Sequence, residues 1–131
     1  INTLKEQTKK FTRQSFNIAL DYGGRDEIVR AINKLLSEKQ ESITESDFST
    51  YLDTADLPDP DLIIRTSGEQ RLSNFLIWQS AYSELYFTDT LWPDFKRADL
   101  MAALEDFTRR KRRFGGLDAE DAHAGGKTQH G

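Results

Sequence analysis

Apolar residues in this chain fall in short bursts, and their spacing alternates between helical and extended along its length. Over 1–15 (INTLKEQTKKFTRQS) only Ile1, Leu4 and Phe11 recur at near-helical intervals, which predicts an amphipathic helix with a thin apolar stripe. Phe16 to Leu20 (FNIAL) reads as a strand, broken by Asp21-Tyr22-Gly23-Gly24-Arg25. Asp26 opens a predicted helix reaching Lys39, with Ile28, Val29, Ile32, Leu35 and Leu36 on one face. Thr44 followed by Asp47 resembles a capping box and predicts a short helix from Glu45 to Leu52. After a proline-containing link at 57–61, Leu62-Ile63-Ile64 has the character of a buried parallel strand, predicted over 62–66. Ser73 is placed to cap a helix through Asn74 to Tyr82. Glu84-Leu85-Tyr86-Phe87 reads as a further strand, and Leu91-Trp92-Pro93 as a turn. Asp94 is the expected N-cap of a long helix from Lys96 to Arg113, carrying Leu100, Leu104, Phe107 and Phe114 and stopped by Gly115-Gly116.

Strands alternating with helices predict an α/β layer with a parallel sheet. Three short strands, however, leave the edges and faces of such a sheet poorly covered. The chain also begins with Ile1, and its only methionine is Met101. The expectation is the C-terminal part of a larger α/β domain over 1–116. Residues 117–131 (LDAEDAHAGGKTQHG) contain little that can pack and are expected to be disordered.

Composition narrows the chemistry. At 131 residues the chain is one domain's worth, and a net charge of −4 gives no general reason to expect nucleic acid. The absence of cysteine excludes disulfide and thiolate chemistry. Both histidines, His123 and His130, lie in the polar tail, which argues against a histidine metal site or triad. No apolar run approaches the ~18 residues of a membrane span, and no signal peptide is visible, so a soluble cytoplasmic protein is expected.

The densest polar stretch follows the strand at 62–66: Arg65, Thr66, Ser67, Gly68, Glu69, Gln70, Arg71 and Ser73. Two guanidiniums with several hydroxyls beside a core strand suit an oxyanion, above all a phosphate or diphosphate. Ligands sit at strand ends in open α/β sheets. The same arginines can equally pair with local Asp and Glu. The Gly23-Gly24 turn before a helix is either a second, generic anion site or, more simply, a turn that serves chain geometry alone. Glu84 is either a surface carboxylate or an oxygen ligand for Mg2+. The run Arg109 to Arg113 is expected to be solvated charge favouring the helix C-terminus. Acidic residues follow it and no aromatics interleave, so nucleic-acid binding is not expected. The aromatics Phe75, Trp78, Tyr82, Tyr86, Phe87 and Trp92 are most simply core, with a tunnel lining or a subunit interface as alternatives.

Three blocks resemble the cis-prenyltransferase family, typified by undecaprenyl diphosphate synthase: ALDYGGRDEIVRA at 19–31, DPDLIIRTSGEQRLSNFLIWQSAYSELYFTDTLWPDF at 59–95, and RRFGG at 112–116. The resemblance covers 1 to about 116 and only the C-terminal half of that family's domain. It implies Mg2+-dependent cis condensation of isopentenyl diphosphate with an allylic diphosphate, by an enzyme that is usually a homodimer. By position, Arg65, Arg71 and Ser73 are then expected to hold the diphosphate of isopentenyl diphosphate. Glu84 is expected to help bind Mg2+ at a site partly shared across the dimer. Arg113 and Gly115 match the family's Arg-x-Gly element, which reaches toward the partner's diphosphate site. The family's catalytic Asp, in an Asp-Gly-Asn-Gly-Arg motif, has no counterpart here. The resemblance therefore implies no catalytic residue in this chain and no turnover by the chain alone. A non-catalytic partner subunit of a cis-prenyltransferase dimer is the alternative. Transient membrane contact would come through a lipid product. Gln70 stands where some members carry His, and it is given no catalytic role because an amide cannot shuttle protons near neutral pH. Asp21 stands where others have Asn, and no function is transferred to it.

Overall fold

The computed structural model describes residues 2–110. In chain order these form α1 (Asn2–Thr8), α2 (Gly24–Ser37), α3 (Glu45–Ser49), β1 (Leu62–Arg65), β2 (Glu84–Phe87), a single 3-10 turn (Trp92–Asp94) and α4 (Arg97–Arg109). The fold class is α/β, as the alternation of patterns implied. β1 and β2 pair in parallel, with Leu62 opposite Glu84 and Arg65 opposite Phe87. A parallel pair needs a crossover, and residues 66–83 supply it.

The helices form where periodicity and caps agree. Thr44 and Asp47 complete a reciprocal capping box: the Asp47 amide donates to Thr44 Oγ1 (3.1 Å), and the Thr44 amide donates to Asp47 Oδ2 (2.9 Å). This starts α3 and sends Phe48 inward. The core is small: Ala31 and Leu35 of α2 meet Phe48 and Leu52, with Ile28, Tyr51 and Trp78 packed against them. The Phe48 and Trp78 rings lie 4.6 Å apart between centroids, and Trp78 Nε1 donates to Ser49 Oγ (3.2 Å), so the indole is held at both ends.

Four expectations need correction. Residues 16–20 form no strand: the backbone finds no ladder partner among the described residues, and Phe16 is 89% exposed. Extended chain becomes a strand only when its amides are paired, so the described sheet has two strands rather than three. Residues 74–82 are turns, not a helix. Ser73, Asn74 and Leu76 adopt φ of 50°, 66° and 46°, the left-handed region that interrupts a right-handed helix. Ser73 therefore caps nothing. Asp94 lies inside the 3-10 turn, and the N-cap of α4 is instead Lys96, whose amide donates to Asp99 Oδ2 (2.9 Å). Finally, the aromatics divide. Trp78 joins the core, whereas Tyr82 and Trp92 are largely exposed.

Helix α2 also presents less of its apolar face inward than its periodicity implies. Val29, Ile32 and Leu36 are exposed, while Glu27, Ala31 and Leu35 are buried. α1 ends at Thr8, short of the expected stretch, and Phe11 is exposed. α4 ends at Arg109, with Arg110 extended, so it stops short of the expected Arg113 and before the Gly115-Gly116 stop; the Arg113 and Gly115 positions and the tail at 117–131 lie outside the described residues.

Candidate functional site

Arg65 is the last residue of β1, so its side chain emerges at the carboxyl end of the parallel pair. It is half-buried, and its Nε lies buried without a hydrogen-bond partner. A guanidinium N–H removed from water and left unpaired carries the desolvation cost of a charged donor, and an arriving anion removes that cost. The following loop is fixed by its backbone. Thr88 N donates to Arg65 O, Gly68 N to Thr88 O and Ser67 N to Thr90 O, all at 3.0 Å. Gly68 has φ of 69°, and a Cβ there would sit 3.0 Å from Asp89 Oδ1. The turn thus demands glycine on both counts.

Further along, Arg71 is exposed and forms an ion pair with Glu69. The local pairing left open by the sequence is therefore present for this arginine. An exposed pair of this kind is weakly held and can be exchanged for a stronger anion. Ser73 is exposed at its left-handed φ. These three residues share one loop at one end of the strand pair.

Glu84 lies elsewhere. It opens β2, opposite Leu62, so it sits at the other end of the strands from Arg65, about 10 Å away at three residues of strand rise. Its Oε2 accepts from Arg110 Nη1 (2.9 Å), which also donates to Leu85 O (2.9 Å). Arg110 reaches Asp106 as well, through Nε (2.8 Å). Within this chain Glu84 is thus not brought to the Arg65 loop. Among the described residues no group of three or more His, Cys, Asp or Glu side chains is arranged to hold a metal.

The structure adds a joint that the sequence reading missed. Asn74 sits on the first turn of α2: its backbone O accepts from the Gly24 amide (2.7 Å), and its Oδ1 accepts from the Arg25 amide (2.9 Å). The anion-binding potential of the Gly23-Gly24 turn is therefore taken up internally. The approach is close enough that a Cβ on Gly24 would meet Ile77 N at 3.1 Å and Asn74 O at 3.2 Å.

One turn along α2, Glu27 is 1% exposed and makes three kinds of bond. It accepts from Tyr22 OH (2.5 Å), from the Asp53 amide (2.8 Å) and from Gln79 Nε2. Burial, with the bond to Glu27 behind it, pushes the Tyr22 hydroxyl well above its ordinary value. Arg30 grips Asp53 through Nη1 (2.9 Å) and Nη2 (2.6 Å), and this holds the Asp53 carboxyl below the usual range. Glu27 falls next to Asp26 in a stretch that reads as a solvated helix start. Only its place one position before the apolar Ile28 hinted at burial.

Comparison with known proteins bears on the same residues. The family model Prenyltransf, described as "Putative undecaprenyl diphosphate synthase", matches residues 1–115. This chain belongs to that family. The isoprenyl transferase of Aquifex pyrophilus is 57% identical over 112 residues, covering 86% of this chain and 48% of that protein. The isoprenyl transferase of Fusobacterium nucleatum is 56% identical over 117 residues, 89% of this chain and 50% of that protein. Among solved structures, lavandulyl diphosphate synthase from Lavandula x intermedia, in complex with dimethylallyl diphosphate, is similar with a TM-score of 0.79. It is 40% identical, over 86% of this chain and 52% of that chain. A probable undecaprenyl diphosphate synthase from Campylobacter jejuni gives a TM-score of 0.73 at 37% identity, over 87% and 53% of the two chains. This chain spans about half the length of the curated relatives it matches. The family is one of prenyl-transferring proteins. Among the described residues, no helix is long and apolar enough to cross a membrane.

Proposed function

We propose that this chain forms the isopentenyl diphosphate site of a cis-prenyltransferase, which condenses that substrate with an allylic diphosphate. The observation that carries the reading is Arg65, whose buried Nε has no hydrogen-bond partner at the carboxyl end of β1. A diphosphate oxygen is a suitable partner for it, and Arg71 and Ser73 on the same loop add a second guanidinium and a hydroxyl. The identity to isoprenyl transferases across the whole stretch supports the same substrate class.

In this reading the chain's residues bind and orient. Arg65 and Arg71 hold the diphosphate so that the double bond of isopentenyl diphosphate faces the allylic carbon, and Ser73 donates to the same group. Orientation of this kind removes much of the entropic barrier to a bimolecular step. The new carbon–carbon bond takes its electrons from that double bond. The allylic carbon–oxygen bond breaks with diphosphate as leaving group, and a proton is lost from isopentenyl diphosphate. No residue of this chain is assigned the ionisation of the allylic substrate.

Mg2+ is proposed as cofactor. Its fit is partial: Glu84 supplies one hard carboxylate oxygen, and Mg2+ commonly uses one or two carboxylates plus substrate phosphate oxygens. When bound, it would neutralise charge on the departing diphosphate. The placement of Glu84 at the opposite strand end from Arg65 supports a homodimer in which Glu84 serves the partner's site rather than its own. Arg113 and Gly115 are proposed to reach that shared region, and a cytoplasmic location and brief membrane contact through the lipid product go with this reading.

The test is a chimera in which this chain replaces the matching 112 residues of the Aquifex pyrophilus protein. With isopentenyl diphosphate, farnesyl diphosphate and Mg2+ it should extend the prenyl chain, and this chain alone should not. Arg71→Ala in the chimera should raise KM for isopentenyl diphosphate at least about tenfold with little change for farnesyl diphosphate. An inactive but folded chimera, or equal effects on both substrates, would overturn the assignment. Full activity of Arg65→Ala and Arg71→Ala chimeras would instead favour the non-catalytic partner subunit.

A further inference from the structure

We propose that Asn74 is a positioning residue for the diphosphate loop: by seating on the first turn of α2 it fixes where Ser73 and Arg71 present their donors. The inference rests on the reading that Arg71 and Ser73 take a diphosphate, and it concerns a residue that need not touch the ligand.

Three observations converge on Asn74. Its backbone O and side-chain Oδ1 accept from consecutive amides distant in sequence, Gly24 (2.7 Å) and Arg25 (2.9 Å). Two acceptors on two neighbouring donors fix both the position and the rotation of the residue. Next, Ser73, Asn74 and Leu76 all hold left-handed φ, a conformation that non-glycine residues keep only when surroundings enforce it. Asn tolerates that region better than most side chains, and the helix terminus supplies the enforcement. Finally, the segment has a second anchor on the same helix, where Gln79 Nε2 reaches Glu27 at 3.2 Å, and the same nitrogen reaches Thr54 Oγ1 at 2.8 Å beyond α3. The stretch between the anchors packs closely on α2, since Ile77 Cγ1 lies 3.0 Å from a Cβ built on Gly24.

The consequence for the loop is direct. From Arg65, with its unpaired Nε, at the end of β1 to Asn74 the chain runs through a largely exposed loop that includes Gln70, Arg71 and Ser73. The first end is tied to the segment after β2 by the Ser67 and Gly68 amides. Asn74 ties the second end to α2. A loop pinned at both ends presents its donors at defined positions and loses less entropy when an anion arrives. Without the Asn74 tie, Ser73 and Arg71 must be ordered by the ligand itself.

The experiment uses the 131-residue chain with inorganic pyrophosphate and isopentenyl diphosphate as probes, read by calorimetry and nitrogen-edited NMR. Asn74→Gly keeps the left-handed backbone free of strain and removes the side chain with its Oδ1 acceptor, leaving the backbone O bond to Gly24 possible. It should weaken both probes by at least about fivefold, of the order expected for one lost hydrogen bond, and abolish the ligand-induced shift of the Ser73 amide. Arg71→Ala should weaken both probes at least about tenfold while leaving the unliganded Ser73 and Arg25 amide signals in place. Asn74→Asp retains the acceptor and should keep the unliganded Arg25 amide as slow to exchange with solvent as in wild type, whereas Asn74→Gly should speed that exchange. It also covers the case in which Asn74→Gly fails to fold. If Arg71→Ala weakens binding and Asn74→Gly does not, the positioning role is overturned and the diphosphate site stands. If the wild-type chain binds neither probe, or Arg71→Ala binds as well as wild type, the diphosphate reading falls and takes the positioning role with it.

Discussion

Gln79 donates through Nε2 to both carboxylate oxygens of Glu27, at 3.2 and 3.3 Å, although 52 residues separate them. Both side chains are almost fully buried. A buried carboxylate is tolerated when enough donors surround it, and here Tyr22, Asp53 and Gln79 provide them. This cluster joins α2 to the residues after α3 and to the irregular segment at 74–79. In a molecule with so small an apolar core, it is a main tie between those pieces.

Glu27→Gln should therefore be strongly destabilising. The amide replaces one acceptor oxygen with an NH2 group, which then faces donors already committed to the carboxylate. The expected loss is about 1–3 kcal/mol, the cost of an unsatisfied buried polar group, measured by urea unfolding. A change below about 0.5 kcal/mol, typical of surface sites, would show that the cluster is not a structural tie.

Tyr22 should make the fold sensitive to alkali. Its hydroxyl ionises less readily in the folded protein, held neutral by burial and by the bond to Glu27. Above the ordinary tyrosine value of 10.0 the unfolded chain loses this proton while the folded one keeps it. The unfolded state then binds fewer protons, so stability falls with rising pH. The contribution is complete below pH ~10 and lost progressively above it. Tyr22→Phe, which keeps the edge-on ring contact with Phe75 (5.6 Å between centroids), should flatten that alkaline slope. An unchanged slope in unfolding curves taken across this range would refute the placement.

Gly24→Ala should disturb the joint beneath Asn74. The added methyl meets Ile77 N and Asn74 O, backbone atoms that cannot rotate away. Overpacking of this kind costs about 1–3 kcal/mol, visible as a lowered Tm. Alanine is otherwise the better helix residue, so a neutral or stabilising result would mean that the approach is looser than the geometry states.

Arg71→Ala should leave stability almost untouched. Its ion pair with Glu69 is exposed, so the expected change is within about 0.5 kcal/mol by the same urea measurement. A loss comparable to that of Glu27→Gln would recast Arg71 as a structural residue.

What the sequence determined by itself was local. The Thr44–Asp47 box, the apolar run Leu62 to Ile64, the strand at Glu84 to Phe87 and most of α2 follow from signals within a few residues, where spacing decides hydrogen bonding directly. The polar loop carrying Arg65, Arg71 and Ser73 was legible for the same reason, as a polar cluster following the end of a strand. The tertiary structure alone decided the rest. Phe16 to Leu20 has strand character but no ladder partner among the described residues, and pairing is a property of two segments. Residues 74–82 read as a helix because Ser73 offered a cap ahead of the apolar Phe75, Leu76, Ile77, Trp78 and Ala81. Yet α2 claims Asn74 through two amides, and left-handed turns result. The same contact fills the anion site that Gly23-Gly24 advertised. The burial of Glu27 is not legible locally, because the three donors that make it tolerable come from positions 22, 53 and 79, brought together only by folding.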